Sequence, residues 1–276
     1  MSNESPVYWE SAVPNPRGIF IVAHGLNVKP SKMGTPLAEG TVVKLLLDSG
    51  YHVYRVTLHG YTGEPKDTQK PGRSDWISDA YNQYCQVKTI AETRRLPLHL
   101  LGFSLGALVY LALMAKETEM PLNSDVKRSV DFEKIILFSP AIAIKPVIMS
   151  ILHLLSFFND RLIIGSASPK EYRAQGGVPL AEYMRLVEME KSLYSGSLKK
   201  CNVHTIVFID RKDEMISTKI LKKRIKEYGL SNWKIYELTN TGALIKPQYH
   251  HLLIDSKCVS SATWRFISGT IMDFLD

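Results

Sequence analysis

Leu98-His99-Leu100-Leu101-Gly102-Phe103-Ser104-Leu105-Gly106-Ala107-Leu108-Val109-Tyr110 joins two structural signals through one turn. Residues 97–102, PLHLLG, form a short apolar run suited to a buried strand. Residues 107–117, ALVYLALMAKE, are rich in strong helix formers. Between them Ser104 stands at the apex of a strand-to-helix turn. Glycines two before and two after it, Gly102 and Gly106, relieve crowding where the two backbones approach. The start of the following helix offers unpaired N–H groups and a positive dipole end, which favour an oxyanion. A G-x-S-x-G pattern alone is weak, and a glycine-rich turn with a capping serine is the plain alternative. Its position between strand and helix is what makes it a candidate for chemistry.

Outward from this turn, strand and helix signals alternate. Strands are predicted at residues 18–23, 51–58, 134–139, 203–209 and 233–238, with one short strand at 7–10. Helices are predicted at 35–47, 74–95, over the basic segment after residue 215, and at 259–275. Alternation of this kind argues for a mostly parallel central sheet with helices on both faces, an α/β fold. Two polar connections, at 60–72 and 120–131, read as loops. Residues 141–200 break the rhythm. They contain no clear strand and are too long for a single crossover, so they read as a helical cap inserted into a core made of residues 1–140 and 201–276.

Composition bounds the function. The chain has 276 residues, 45% of them apolar and 22% charged, which excludes a disordered, collagen-like or coiled-coil chain. Lys and Arg exceed Asp and Glu by 34 to 27, a formal net charge of +7. The densest basic cluster, Lys219, Lys222, Lys223, Arg224 and Lys226, alternates at helical spacing with Ile220, Leu221 and Ile225. It reads as the solvated face of an amphipathic helix, not as a nucleic-acid-binding stripe. Three scattered cysteines, Cys85, Cys201 and Cys258, fit neither a disulfide framework nor a four-thiolate metal site, and suit a reducing compartment. MSNESPVYWE has no basic flank followed by an apolar run, and the longest apolar stretch, 146–158, is too short to span a bilayer. The expected location is cytoplasmic.

A serine hydroxyl needs a base, and eight histidines are available. His52, His99 and His204 lie in strands, His24 and His59 at the carboxyl ends of strands, where open α/β sheets gather ligands, and His153 in the insertion. Only His250 and His251 occupy the loop before the last helix. The base needs an acid to orient it. Asp210 falls at the end of the strand 203–209, whereas Asp213 falls in the loop beyond it and precedes the histidine pair by 37–38 positions. Two backbone donors must meet the developing oxyanion. Leu105, after the serine, supplies one. Leu26, in His24-Gly25-Leu26-Asn27 after the first core strand, supplies the other.

With these residues assembled, the chain resembles the α/β-hydrolase superfamily, most closely the branch of monoacylglycerol lipases and related carboxylesterases. The resemblance runs through His24-Gly25, the loop Leu58-His59-Gly60-Tyr61, the Gly102-to-Gly106 turn, the exit at Ser139-Pro140 into a cap, Asp213 and the late histidines. It implies a nucleophile at Ser104, an acid at Asp213, an oxyanion hole at Leu26 and Leu105, and no metal or cofactor. It also implies a histidine five residues before an acidic or small polar residue. Asp255 stands five after His250 and four after His251, so His250 is the expected base.

The insertion opens with the apolar groups 141–144, 146–149, 151–152, 154–155 and 157–158. Such a segment can line a pocket for an acyl chain and can touch lipid as a lid. A helix packed on the core is the plain alternative. The expected activity is hydrolysis of a small-molecule carboxylic ester with an apolar acyl group. The competing expectations are a non-catalytic binding scaffold of the same fold, or the same residues working as a thioesterase, peptidase or acyltransferase.

Overall fold

In the computed structural model, residues 4–61, 73–115, 129–158, 162–193, 198–246 and 248–276 are described. The predicted loops at 60–72 and 120–131 fall largely outside them. Seven strands form one sheet in the order β1-β3-β2-β4-β5-β8-β9. They are β1 Val7–Trp9, β2 Gly18–Ala23, β3 Tyr51–Arg55, β4 Leu98–Phe103, β5 Lys134–Phe138, β8 His204–Asp210 and β9 Trp233–Leu238. β1 pairs antiparallel with β3, and every other pairing is parallel. This is the α/β-hydrolase fold anticipated above.

The central strands are apolar on both faces because both are covered. On one face Ile19, Ile21, Leu100, Ile135, Leu137 and Val207 pack with α2 (Arg73–Arg94) and α3 (Leu105–Ala115). On the other, Phe20, Val22, Leu101, Ile136, Phe138 and Phe208 meet α1 (Val42–Asp48) and α7 (Ser261–Leu275). Period-two alternation along each strand divides its side chains between the two layers. Every residue of α3 is buried.

Two elements differ from expectation. The first helix begins at Val42, seven residues late. Gly40 sits at φ +68°, and Thr41 takes an extended conformation as N-cap, its hydroxyl accepting from Lys44 N–H. Cap chemistry thus sets the start where apolar spacing had suggested an earlier one. The insertion, expected to hold no strand, carries an antiparallel hairpin of β6 (Ile163–Gly165) and β7 (Gly177–Pro179). Three-residue strands containing Gly and Pro leave no alternation to read.

The insertion also contains α4 (Pro146–Phe158) and α5 (Leu180–Leu193). α5 packs against α3, and its Leu186, Val187, Met189 and Leu193 join the core. Buried Glu190 anchors it, accepting from Arg224 on α6 (Thr218–Glu227) and from the Ile144 N–H at 3.2 Å. α4 is amphipathic with a second apolar side: Val147, Ile151, Leu154 and Phe157 form an exposed ridge, Phe157 being 86% exposed. Among the described residues, no helix is long and apolar enough to cross a membrane.

β3 and β4 flank β2 on opposite sides, so successive crossovers depart in opposite directions from that strand. The carboxyl ends of β2 and β4 therefore border the crevice where open α/β sheets bind ligands.

Candidate active site

Ser104 follows β4 directly and holds a left-handed φ of +49°. Its backbone is locked on three sides. Its N–H donates to Phe138 O at 3.0 Å, and its carbonyl accepts from Ala141 and Leu108 at 3.2 Å each. Gly106 N–H reaches back to His24 O at 3.0 Å. A Cβ on Gly106 would stand 2.7 Å from the Ala23 backbone, and one on Gly25 would stand 2.6 Å from the Phe103 ring. Only glycine lets the loop after β2 and the turn after β4 come this close.

Across the crevice, Asp213 and His251 meet the serine. His251 Nε2 lies 2.9 Å from Ser104 Oγ, and His251 Nδ1 lies 2.9 Å from Asp213 Oδ2. All three side chains are buried. Asp213 Oδ1 also accepts from the Met215 and Ile216 N–H groups at 2.8 Å each. Burial pushes the Asp213 carboxyl up. The adjacent His251 ring and the hydrogen bonds from His251 and Ile216 outweigh that push and hold it below the ordinary carboxylate value. An ionised acid that accepts from Nδ1–H leaves Nε2 free to take a proton from a hydroxyl.

The structure corrects the expected histidine. His250 faces away from Ser104, with its Nδ1 3.2 Å from Asp210 Oδ1. His250 Nδ1 makes no hydrogen bond to that oxygen, whereas His251 is hydrogen-bonded both to Asp213 and to the serine. Neighbouring loop residues project in different directions, and the spacing to Asp255 carried no information about which one turns inward. Asp255 is itself spent on the loop, accepting from Lys257 N–H, Cys258 N–H and the Tyr172 hydroxyl.

Leu26 and Leu105 flank the serine. Leu105 is the first residue of α3, and Leu26 shares a cavity wall with Ser104. Among the described residues, neither backbone N–H donates to a protein acceptor.

Further residues hold this arrangement, and sequence reasoning missed them. Asn27, at φ +55°, receives a 2.8 Å hydrogen bond from Gln175 N–H at its Oδ1 and donates from Nδ2 to Gln175 O at 3.1 Å. Tyr61 Oη accepts from Asn27 N–H at 2.8 Å. The loop bearing Leu26 is thereby pinned to the hairpin segment of the insertion. These bonds span 148 and 34 residues, so no local signal announces them.

His24 occupies the same network in neutral form. Its Nδ1 donates to Gly25 O at 3.0 Å, its Nε2 accepts from Leu58 N–H at 3.2 Å, and its ring packs edge-on to Tyr61. Protonating Nε2 would set one donor against another. Burial brings the His24 pKa down to about 4. His99, enclosed by Phe20 and Tyr51, also falls to about 4, through burial first and then Lys134 and Arg17. Both values lie below the unfolded one near 6.5. The unfolded chain therefore takes up protons first. The associated stability is complete above that pH and is lost on acidification toward 4. Each histidine is expected to cost about 2 kcal/mol at pH 5. Melting temperature measured from pH 7.5 to 4.5 should fall steeply, and His99→Phe should flatten the curve. An equal slope in that variant would refute the assignment.

The serine opens on a cavity of about 240 Å³ between the sheet edge and the insertion. Ile144, Ile148, Leu152, Leu155, Leu186 and Met215 supply apolar walls, and Ser166 and Ser168 of the hairpin segment supply hydroxyls. None of the described lining residues is a carboxylate or a cationic Lys or Arg.

Comparisons with known proteins agree with this fold. A family model described as serine aminopeptidase, S33, matches residues 14–191. A soluble variant of monoglyceride lipase from Saccharomyces cerevisiae, solved with a substrate analogue, superposes with a TM-score of 0.70. It is 15% identical, over 98% of this chain and 90% of that one. A monoacylglycerol lipase from Paleococcus ferrophilus gives 0.63 at 13% identity, over 98% of both chains. A metagenome-derived lipolytic enzyme gives 0.68 at 16% identity, over 100% of this chain and 98% of that one. Likeness at these identities establishes the shared fold. No curated protein matches the chain.

Proposed function

Since the chain belongs to the serine aminopeptidase S33 family of α/β hydrolases, we propose that it is a serine hydrolase that cleaves carboxylic esters through an acyl-enzyme. The observation that carries this reading is the continuous line from Ser104 Oγ through His251 to Asp213, opening on an apolar cavity.

The proposed steps follow from the atoms. Ser104 Oγ attacks the ester carbonyl while His251 Nε2 takes its proton. Negative charge collects on the carbonyl oxygen, where the Leu26 and Leu105 N–H groups receive it. The tetrahedral species collapses, the C–O bond to the alcohol breaks, and His251 returns the proton to the leaving oxygen. Water then enters, gives a proton to His251 and attacks the acyl carbon, and Ser104 leaves with that proton. Asp213 stays ionised throughout, holding the ring and balancing the imidazolium.

The family's name raises the peptide reading. The cavity favours an ester: an aminopeptidase needs an anionic group to pair the substrate's terminal ammonium, and no carboxylate stands among the described lining residues. At about 240 Å³ the cavity falls below the range usual for drug-sized ligands and suits a short to medium acyl chain. Residues 141–200 then serve as the cap, with α4 and the hairpin as the part above the site. The outward ridge Val147, Ile151, Leu154 and Phe157 offers a surface for peripheral contact with lipid. The reading includes a cytoplasmic location.

A fluorophosphonate probe tests the nucleophile. Wild-type protein should be labelled at Ser104, and Ser104→Ala should not be labelled. p-Nitrophenyl esters should turn over fastest at intermediate chain length, and aminoacyl amides should be poor substrates. A folded wild-type protein that resists the probe would refute the reading.

A further inference from the structure

We infer that Glu214 is a positioning residue for the His251 imidazole, an assignment that rests on the reading of Ser104, His251 and Asp213 as the acyl-transfer relay. Glu214 follows Asp213 directly on the connection between β8 and α6. Its carboxylate grips two successive backbone N–H groups across the crevice: Oε1 accepts from His250 N–H at 3.0 Å and Oε2 from His251 N–H at 2.9 Å. Hydrogen bonds to an ionised acceptor are about twice as strong as neutral ones.

The loop bearing His251 needs such a hold. It links β9 to α7, and residues 248–252 lie in neither strand nor helix. Their N–H groups have no ladder to join. Glu214 supplies acceptors for the two peptide units on either side of His250, the second of which leads into His251, and the Leu252 N–H on the far side of His251 donates to Tyr249 O at 3.1 Å. With the peptide unit before His251 held by Glu214 and the one after it held by Tyr249 O, the direction of the His251 Cα–Cβ bond is set. Asp213 then has only the ring rotation left to set, through Nδ1.

Adjacent residues of one short connection therefore hold the histidine at two levels, Asp213 at the ring and Glu214 at the main chain. Acid and base move as one body if the connection shifts. Glu214 is not needed to start the next helix, because Ser217 caps α6, its hydroxyl accepting from Ile220 N–H. Its carboxylate is thus committed to the histidine loop.

A displaced imidazole costs rate without costing substrate affinity, and misplacement by about 1 Å can cost roughly 10²-fold. Glu214→Gln keeps the shape and one acceptor oxygen, whereas Glu214→Ala removes both. On a p-nitrophenyl ester, with protein folding verified by circular dichroism and rates normalised to Ser104 sites titrated with fluorophosphonate, kcat should fall about tenfold in the glutamine variant. It should fall further in the alanine variant, with KM within about twofold of wild type in both. The same substitutions in a His251→Ala background should change the residual rate by less than about twofold, since no imidazole remains to be placed. Unchanged kcat, or an equal loss with and without His251, would overturn the assignment. Failure of the wild-type protein to label at Ser104 would instead overturn the relay itself, so the two failures are distinguishable.

Discussion

Alanine at His251 should lower kcat by roughly 10⁴–10⁶-fold, while alanine at His250 should leave it within about threefold of wild type. The two residues are neighbours of the same type in the same loop, so they are unusually well matched controls. His251 Nε2 stands 2.9 Å from Ser104 Oγ, and without it the hydroxyl must ionise unaided. The two backbone donors would still receive an oxyanion, which leaves a residual rate above that of water. His250 is different in kind. Its side chain faces Asp210, and the contact it makes with Glu214 comes from its main-chain N–H, which alanine retains. Asp210 keeps its bonds from Lys212 and Asn240 N–H, so the partner left behind is not stranded. Steady-state kinetics on p-nitrophenyl butyrate checks both variants. An inactive His250→Ala protein beside an active His251→Ala protein would reverse the assignment.

The pair also marks the boundary of what the sequence could disclose. Ser104 was legible because everything that defines it is local: an apolar strand, a glycine-flanked apex and a helix. The sheet was legible for a related reason. A parallel layer covered on both faces needs continuous apolar runs, and GIFIVA and KIILF are such runs. Which of two adjacent histidines points inward is decided by main-chain bonds to Glu214 and by Asp213, 36 to 38 residues away. No periodicity records such contacts. The same holds for Asn27, whose clamp on Gln175 depends on where the insertion folds back. The hairpin β6–β7 escaped for another reason, since three paired residues are too few to show a period. Local chemistry could be read in advance, whereas contacts between distant loops could not.

Asn27 and Tyr172 show what those unread contacts achieve. Asn27 joins the Leu26 loop to residue 175, and Tyr172 joins the same insertion segment to Asp255, four residues past His251. The hairpin segment is thus tied both to the loop that holds Leu26 and to the loop that holds His251.

Asparagine at Asp213 should cost about 10⁴-fold in kcat with little change in melting temperature, and the reason lies in which oxygen does what. Oδ1 accepts from Met215 and Ile216 N–H at 2.8 Å each, and Oδ2 faces His251 Nδ1 at 2.9 Å. An amide has one acceptor and one donor end. Two backbone donors compel the amide oxygen into the Oδ1 place, because an NH₂ there would oppose both of them. The NH₂ group then occupies the Oδ2 place and points at Nδ1. The nearer of the two Nδ1 contacts, 2.9 Å against 3.1 Å to Oδ1, is then with a donor, which favours Nδ1 as acceptor and the ring proton on Nε2, the atom that should receive the serine proton. The variant keeps its fold and its hydrogen-bond count while the base carries the wrong tautomer. Alanine at the same position leaves Nδ1 free to take either tautomer and should be no slower than asparagine. Comparing kcat for Asp213→Asn and Asp213→Ala, with melting curves alongside, tests this directly. An asparagine variant within tenfold of wild type would mean that Asp213 does not set the proton on His251.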